Sequence, residues 1–162
     1  MQDRDCEAGP VQLVLSWEML ATLENVLHRL HFDPKDIADV IAALIGLMKA
    51  GPEQFDPHLL PEGGKTLPMK DTEDAGVLAS LIAVRADLLI TNNLADFAIK
   101  GCERIDTQKV ELPGQTPRQL FARIYERNDG VRIVIAHPID ALGWLRKGLR
   151  PTPDAIRPTP PQ

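Results

Sequence analysis

A short apolar run, Asp87-Leu88-Leu89-Ile90-Thr91, lies between a stretch with helical apolar spacing and a turn rich in asparagine and aspartate. A run of this length suits a strand that is buried on both faces, which is typical of parallel sheets covered by helices. Further short runs at 11–15 and 131–136 alternate with helical periodicity along the chain. The alternation predicts an α/β protein with a mostly parallel sheet.

The helices carry recognisable start signals. Ser16 is a suitable cap for a helix that begins at Trp17, and Asp33-Pro34 combines a cap with a proline at the first helical position. The second helix is expected to stop at Gly51-Pro52. The remaining elements follow in chain order: a helix at 73–84, a weak strand at 108–112, a helix from Thr116-Pro117 to about Arg127, a strand at 131–136 and a helix from Pro138 to Lys147.

Composition divides the chain into a start, one domain and a tail. Residues 1–10 are polar and are expected to be a flexible start, and residues 11–150 form a single domain. Residues 151–162 hold five of the 14 prolines, so we expect this tail to be flexible or extended and not to pack as helix or sheet.

Charge and cysteine content exclude several classes of protein. No stretch of about 18 uncharged apolar residues is present, which excludes a membrane span. Cys6 and Cys102 are far apart in sequence, which favours a reducing cytoplasm over a disulfide framework. The net charge is −5, which argues against tight binding of nucleic acid by charge alone. Any nucleic-acid function would need the help of a metal ion or a transient contact.

Two clusters of acidic and amide side chains lie around the third helix and the strand after it. The first, Asp71-Thr72-Glu73-Asp74, begins the helix, and the second, Thr91–Phe97, follows the strand. Ligands of open α/β sheets bind at the carboxyl ends of strands. Each cluster also has an ordinary structural explanation, because first-turn acids complement the helix dipole and Asn or Asp residues form turns.

Clustered carboxylates repel one another, and a divalent cation removes that conflict. Oxygen ligands with open positions suit Mg²⁺ or Mn²⁺. Such an ion can orient a water and offset the charge of a phosphodiester transition state. The two clusters together are therefore candidates for a metal site that acts on phosphodiesters.

The clusters resemble a known family in their sequence context. The segments 71–79 and 86–97 look like the second half of a PIN domain, in which an acidic pair precedes a Val-Leu-Ala helix and a T-x-N-L-x-D-F turn follows a strand. Segments 13–21 and 26–29 resemble the family's second strand and the helix after it. The similarity covers about residues 11–120 and points to the PilT N-terminus-like family with its VapC-type toxin nucleases.

This resemblance implies a three-layer α/β/α fold and a ribonuclease that cleaves RNA phosphodiesters through metal-activated water. Asp74 and Asp96 would be catalytic residues that bind Mg²⁺ or Mn²⁺, with Asn93 beside them. Many PIN nucleases are toxins, so a small antitoxin protein and a second copy of the chain are implied partners besides RNA.

Three departures from the family pattern lead to an alternative. No Asp-Thr-Asn step precedes residues 11–15, which already match the second strand, and residues 121–150 extend past the family's usual end. The family's helix acid falls at Thr22; Glu18, one turn earlier, is a better substitute than Glu24, which faces away. The alternative is a degenerate, non-catalytic PIN-like protein that binds RNA or a protein partner.

The remaining site predictions concern RNA contacts and the sheet edge. Asp71 and Glu18 complete the candidate metal ligands, and Arg118, Arg123 and Thr91 are the candidate RNA contacts. A missing first strand would expose a sheet edge, so we expect either a dimer or residues 131–136 to cover it.

Overall fold

The structure is a computed structural model that describes residues 8–59, 67, 69, 71–111 and 116–158. Contacts between residues divide this part of the chain into two compact units. The helical unit holds residues 10–59, 67 and 72–80, and the sheet unit holds the remainder. Parts of the expected flexible start, of the loop after the second helix, of the weak strand's end and of the proline-rich tail lie outside the described residues.

Both predicted helix starts of the helical unit are confirmed. Helix α1 spans Trp17–Arg29, and the Ser16 hydroxyl accepts a hydrogen bond from the Met19 amide at 3.2 Å. Helix α2 spans Pro34–Lys49, and Asp33 accepts from the Lys35 amide at 2.8 Å. These caps satisfy amides that have no partner inside the helix. The buried apolar side chains of the two helices are Leu20, Ile37 and Met48.

The predicted strand at 11–15 is wrong. This segment has no ladder, and only Ser16, after it, forms an isolated parallel bridge with His58. The Gln12 side chain donates to the Met48 carbonyl oxygen at 2.9 Å and accepts from the Glu53 amide at 3.0 Å. Segment 11–15 is therefore connected to the end of α2 by the hydrogen bonds of one side chain, and not by the strand pairing that its apolar pattern suggested.

The described residues of the sheet unit form four strands. They are β1 (Leu88–Ile90), β2 (Cys102–Val110), β3 (Arg118–Glu126) and β4 (Arg132–Ala136), in the spatial order β1-β4-β3-β2. Only β1 and β4 pair in parallel; the other two described pairings are antiparallel. The α/β class is confirmed, but the sheet is mixed and not mostly parallel. Strand β1 lies at the edge, which leaves Ile90 50% exposed, so this strand is not buried on both faces.

Strand β3 replaces the helix expected from Thr116-Pro117 to Arg127, and that prediction is wrong. Leu120, Ala122 and Ile124 are buried at every second position, which is strand periodicity. The predicted turn at 128–130 is confirmed and closes the β3–β4 hairpin, with the Arg127 amide donating to the Val131 carbonyl at 2.9 Å.

Two helices flank the sheet in the same unit. Helix α4 spans Pro138–Arg146, which confirms its prediction, and α5 spans Pro153–Ile156. One buried cluster joins strands β3 and β4 to these helices and is formed by Ala122, Val134, Ala136 and Ala141, with Leu88, Trp144 and Ile156 packed against it. The strand at 131–136 pairs with β1, and the other side of β1 is an edge among the described strands, so the covering of an edge by a dimer stays a prediction.

The segment after Arg150 is packed, contrary to expectation. Pro151 and Pro153 are buried, and α5 begins with the Thr152 hydroxyl accepting from the Ala155 amide. Proline is tolerated at the first position of a helix, and Pro153 occupies that position in α5. No helix in the described ranges is long and apolar enough to cross a membrane.

Helix α3 (Thr72–Ala83) carries the acidic cluster, and its described residues belong to both units. It begins one residue earlier than predicted. Its buried side chains include Ala75, Leu78 and Leu81.

Candidate functional site

The turn after β1 holds its polar side chains together. The Asn93 amide group donates a hydrogen bond from Nδ2 to Oδ2 of Asp96. The Asn93 backbone amide donates to the Thr91 hydroxyl at 3.0 Å. Asn93 and Asp96 are both exposed, whereas Thr91 is half-buried. The predicted residues Thr91, Asn93 and Asp96 therefore form one connected group.

Buried apolar residues fix the direction in which this turn presents its polar groups. Leu94 is 4% exposed and Phe97 is 1% exposed, so both side chains are anchored in the interior. The Thr91 amide donates to the Ala136 carbonyl oxygen at 3.0 Å, which continues the pairing of β1 with β4. With its apolar residues inward and its backbone tied to the sheet, the turn keeps Asn93 and Asp96 at the surface.

Arg123, on strand β3, forms a hydrogen bond to the backbone of this turn. Its guanidinium donates from Nε to the Leu94 carbonyl oxygen at 2.7 Å. Arg123 lies on β3 and not on a helix, and Arg118 lies five residues earlier on the same strand. An odd separation along a strand places two side chains on opposite faces of the sheet. The two predicted RNA-contacting arginines are thus separated by the sheet, with Arg118 exposed and Arg123 half-buried.

The other predicted acids lie on helical elements. Asp74 is half-buried in the first turn of α3, next to the exposed Glu73. Asp71 is exposed just before that helix, and Glu18 is exposed in the first turn of α1. Asp74 and Glu18 belong to the helical unit, whereas Asp71 and Asp96 belong to the sheet unit.

The described residues contain no group of three or more His, Cys, Asp or Glu side chains placed to hold a metal ion. Thr22 is exposed on α1, and Glu24 lies 4.0 Å from His28 one turn later on the same helix. Burial raises the pKa of the Cys102 thiol, so this cysteine is not a ready thiolate nucleophile.

Sequence analysis missed a buried carboxylate in the sheet unit. Asp140 on α4 is 1% exposed, and its two oxygens accept hydrogen bonds from the Thr107 hydroxyl at 2.7 Å and the Gln108 amide at 2.8 Å. The three residues border a cavity of about 550 Å³ that Trp144 also lines. The only local signal for Asp140 in the sequence was its position as an acid in the first turn of a helix, which is too common to indicate a buried network.

The fold and the turn define an α/β protein with polar residues at the carboxyl end of a sheet strand. The family model described as "PIN domain" matches residues 3–95, which is more than half of the chain, and the protein belongs to this family. No curated protein and no solved structure matches the chain.

The matched region contains α1, α2, α3, β1 and most of the polar turn. It ends one residue before Asp96, so the hairpin β3–β4, strand β2 and helices α4 and α5 lie beyond it. Membership of the family supports a nuclease-type function, and PIN domains commonly act on RNA.

Proposed function

We propose that the protein is a metal-dependent ribonuclease of PIN type. The observation that supports this most directly is the turn in which the Asn93 amide is bonded to the Asp96 carboxylate, both exposed at the end of β1, in a chain of this family. In the proposal Asp74 and Asp96 are the catalytic acids, and Asp71 and Glu18 are further ligands.

The chemistry of these donors fits Mg²⁺ or Mn²⁺, which prefer carboxylate and amide oxygens and keep several waters. A bound ion of this kind would supply Lewis-acid polarisation of the phosphoryl oxygen and a more acidic water. Asn93 orients the Asp96 carboxylate by donating to one of its oxygens, which leaves the other oxygen to act as a ligand. Leu94 and Phe97 hold the turn in place while it does so.

The proposal is tested by Mg²⁺- and Mn²⁺-dependent cleavage of a mixed RNA pool. The unchanged chain is compared with Asp96→Asn and Asp74→Asn, and Asp39→Asn serves as the control because Asp39 is an exposed acid on α2 outside the proposed site. We expect cleavage that needs the metal, falls at least about a hundredfold in the two site variants and persists in the control. Cleavage that survives both site substitutions would refute the assignment.

The alternative is a non-catalytic PIN protein that binds RNA or a protein partner. Thr22 favours it, because this exposed hydroxyl stands where the family's helix acid is expected. Absence of cleavage together with metal-independent RNA binding would support this alternative.

Further parts of the proposal concern biological context. A toxin of a toxin–antitoxin pair would have a small antitoxin as its partner, and a homodimer is the proposed assembly. The proposed location is the cytoplasm, because the two cysteines are far apart and Cys102 is a free thiol. Co-purification with the product of an adjacent small gene, and its relief of growth arrest, would test the toxin assignment.

A further inference from the structure

Beyond the region that matches the family, strands β2 and β3 carry an aromatic ring that lies close to two arginines. The Arg104 guanidinium carbon lies 4.1 Å from the centroid of the Phe121 ring, and that of Arg123 lies 5.4 Å from it. Arg104 faces Arg123 across β2 and β3, so all three side chains lie on one face of the sheet. We name these three residues the arginine–phenylalanine stack.

The guanidinium of Arg104 is held in a fixed orientation. Asp106 accepts from both Nε and Nη2 of Arg104 at 3.1 Å, which holds one edge of the planar group, and the guanidinium carbon lies over the Phe121 ring. The Arg104 side chain nevertheless remains 54% exposed. A planar cation that is held at one edge, lies over an aromatic ring and is still open to solvent is well suited to receive another planar group.

The stack is connected to the polar turn through Arg123. This residue contacts the Phe121 ring and also donates to the Leu94 carbonyl, one residue from Asn93. All of these residues belong to the sheet unit. A strand of nucleic acid whose phosphodiester lies at Asn93 and Asp96 could therefore place a neighbouring base at the stack.

We propose that the arginine–phenylalanine stack binds an unpaired base of single-stranded RNA next to the turn. The inference deepens the proposed ribonuclease function, on which its choice of RNA rests. Base stacking on arginine and aromatic planes tolerates any base and does not require a strongly basic surface. This suits a chain with a net charge of −5, in which Asp106 offsets one of the two positive charges of the stack.

Charge balance gives the first expectation. With about one phosphate contact at this face, the affinity should fall only weakly with salt. For single strands, the slope of log binding constant against log salt concentration is about −0.7 per phosphate neutralised. A protein that bound RNA mainly through phosphates would lose affinity much more steeply.

The decisive experiment measures fluorescence anisotropy of a labelled ten-nucleotide oligoadenylate with the full chain in EDTA, so that binding is separated from cleavage. The variants are Phe121→Leu, which keeps an apolar side chain but removes the ring, and Arg104→Lys, which keeps the charge but removes the plane. The matched control is Arg127→Lys, because Arg127 pairs with Asp129 at 2.9 Å two residues away, as Arg104 pairs with Asp106. Thermal unfolding verifies that each variant is folded, and Arg104 is exposed, so this substitution is tolerated even if Phe121→Leu is not.

We expect the Kd to rise about fivefold or more in Phe121→Leu and Arg104→Lys and to stay within about twofold in Arg127→Lys. The same oligonucleotide with abasic riboses should bind all four proteins equally weakly, because it has no base to stack. Failure of the unchanged chain to bind, variants that bind normally, or an equal loss on the abasic strand would each overturn the proposal.

Failure of this proposal can be distinguished from failure of the ribonuclease proposal. Stack-dependent binding by a chain that never cleaves RNA supports the stack and refutes the nuclease. Metal-dependent cleavage by a chain whose stack variants bind RNA normally supports the nuclease and refutes the stack.

Discussion

The guanidinium of Arg123 donates to the carbonyl oxygen of Leu94 at 2.7 Å, and this bond joins the third strand of the sheet to the turn after the first. The donor is charged, so the bond is stronger than one between neutral groups. It also crosses the end of the family match, because Leu94 lies inside the matched residues 3–95 and Arg123 lies beyond them. The β3–β4 hairpin, which lies beyond the matched residues, therefore stabilises the turn that carries the candidate site.

Replacing Arg123 should loosen this turn. Arg123→Met keeps an unbranched stem but removes the donor, and we expect the free energy of unfolding to fall by about 1.5 kcal/mol. Arg118→Met is the matched control, since Arg118 is exposed on the same strand, and its effect should stay within about 0.5 kcal/mol. Urea denaturation measures both values. An equal loss in the two variants would show that the bond to Leu94 contributes nothing specific.

The amide of Asn93 orients the Asp96 carboxylate, so its removal should weaken metal activation. In Asn93→Ala the Mg²⁺ concentration for half-maximal RNA cleavage should rise about tenfold, because partners that orient a ligand affect metal affinity to this degree. Asn92→Ala is the control: Asn92 is an exposed amide in the same turn. A metal titration of cleavage rates measures the change. Identical titrations for the two variants would mean that Asn93 does not position Asp96 for a metal.

Local chemistry made the starts of helices α1 and α2 predictable from the sequence. The caps at Ser16 and Asp33 could be predicted because each capping side chain bonds an amide only two or three residues further along the chain. The polar turn was predictable for the same reason, since Thr91, Asn93 and Asp96 contact one another within six residues.

Two of the failures concern contacts that are distant in sequence. Segment 118–126 has apolar residues at Leu120, Phe121 and Ile124, which suit a helix, as well as the alternation that suits a strand. Its pairing with β2 and β4 decides between them, and a single local window does not contain that information. The partners of Asp140 are 33 and 32 residues away, so nothing near Asp140 marks it as buried.

Asp140 provides a test of how much a buried carboxylate contributes to the free energy of unfolding. Asp140 and Asp36 are both the third residue of a helix that begins with proline, but Asp140 is 1% exposed and Asp36 is exposed. The contribution of the helix dipole is therefore similar at the two positions. We expect Asp140→Ala to lower the free energy of unfolding by about 2–3 kcal/mol, because Thr107 and Gln108 lose their buried hydrogen-bond acceptor.

Asp36→Ala should cost less than about 1 kcal/mol. Urea denaturation of both variants gives the comparison. If the two substitutions have equal effects, the network around Asp140 adds no stability beyond that of a first-turn acid.

Acid pH should release the ion pairs that hold the C-terminal segment on the sheet. Glu126 accepts from Arg157 Nη2 at 3.1 Å and from Arg132 Nε at 2.9 Å, and these bonds lower the pKa of its carboxyl. The bond from Arg132 likewise lowers the pKa of Asp154. A carboxyl whose pKa is lowered by folding stabilises the protein fully above its ordinary pKa, and this stabilisation disappears as the pH falls through the lowered value.

The variant Glu126→Gln isolates one member of this network. Above about pH 5 the unchanged chain should melt about 2–4 °C higher than the variant, an effect limited by the solvent exposure of the pairs. As the pH falls below about 4 the difference should shrink towards zero, since the carboxyl then becomes neutral in both the folded and the unfolded chain. Glu111→Gln controls for the change in net charge, because Glu111 is an exposed carboxyl outside this network. Melting temperatures measured from pH 3 to pH 7 give the result, and a difference that is independent of pH would show that the ionised form of Glu126 does not stabilise the fold.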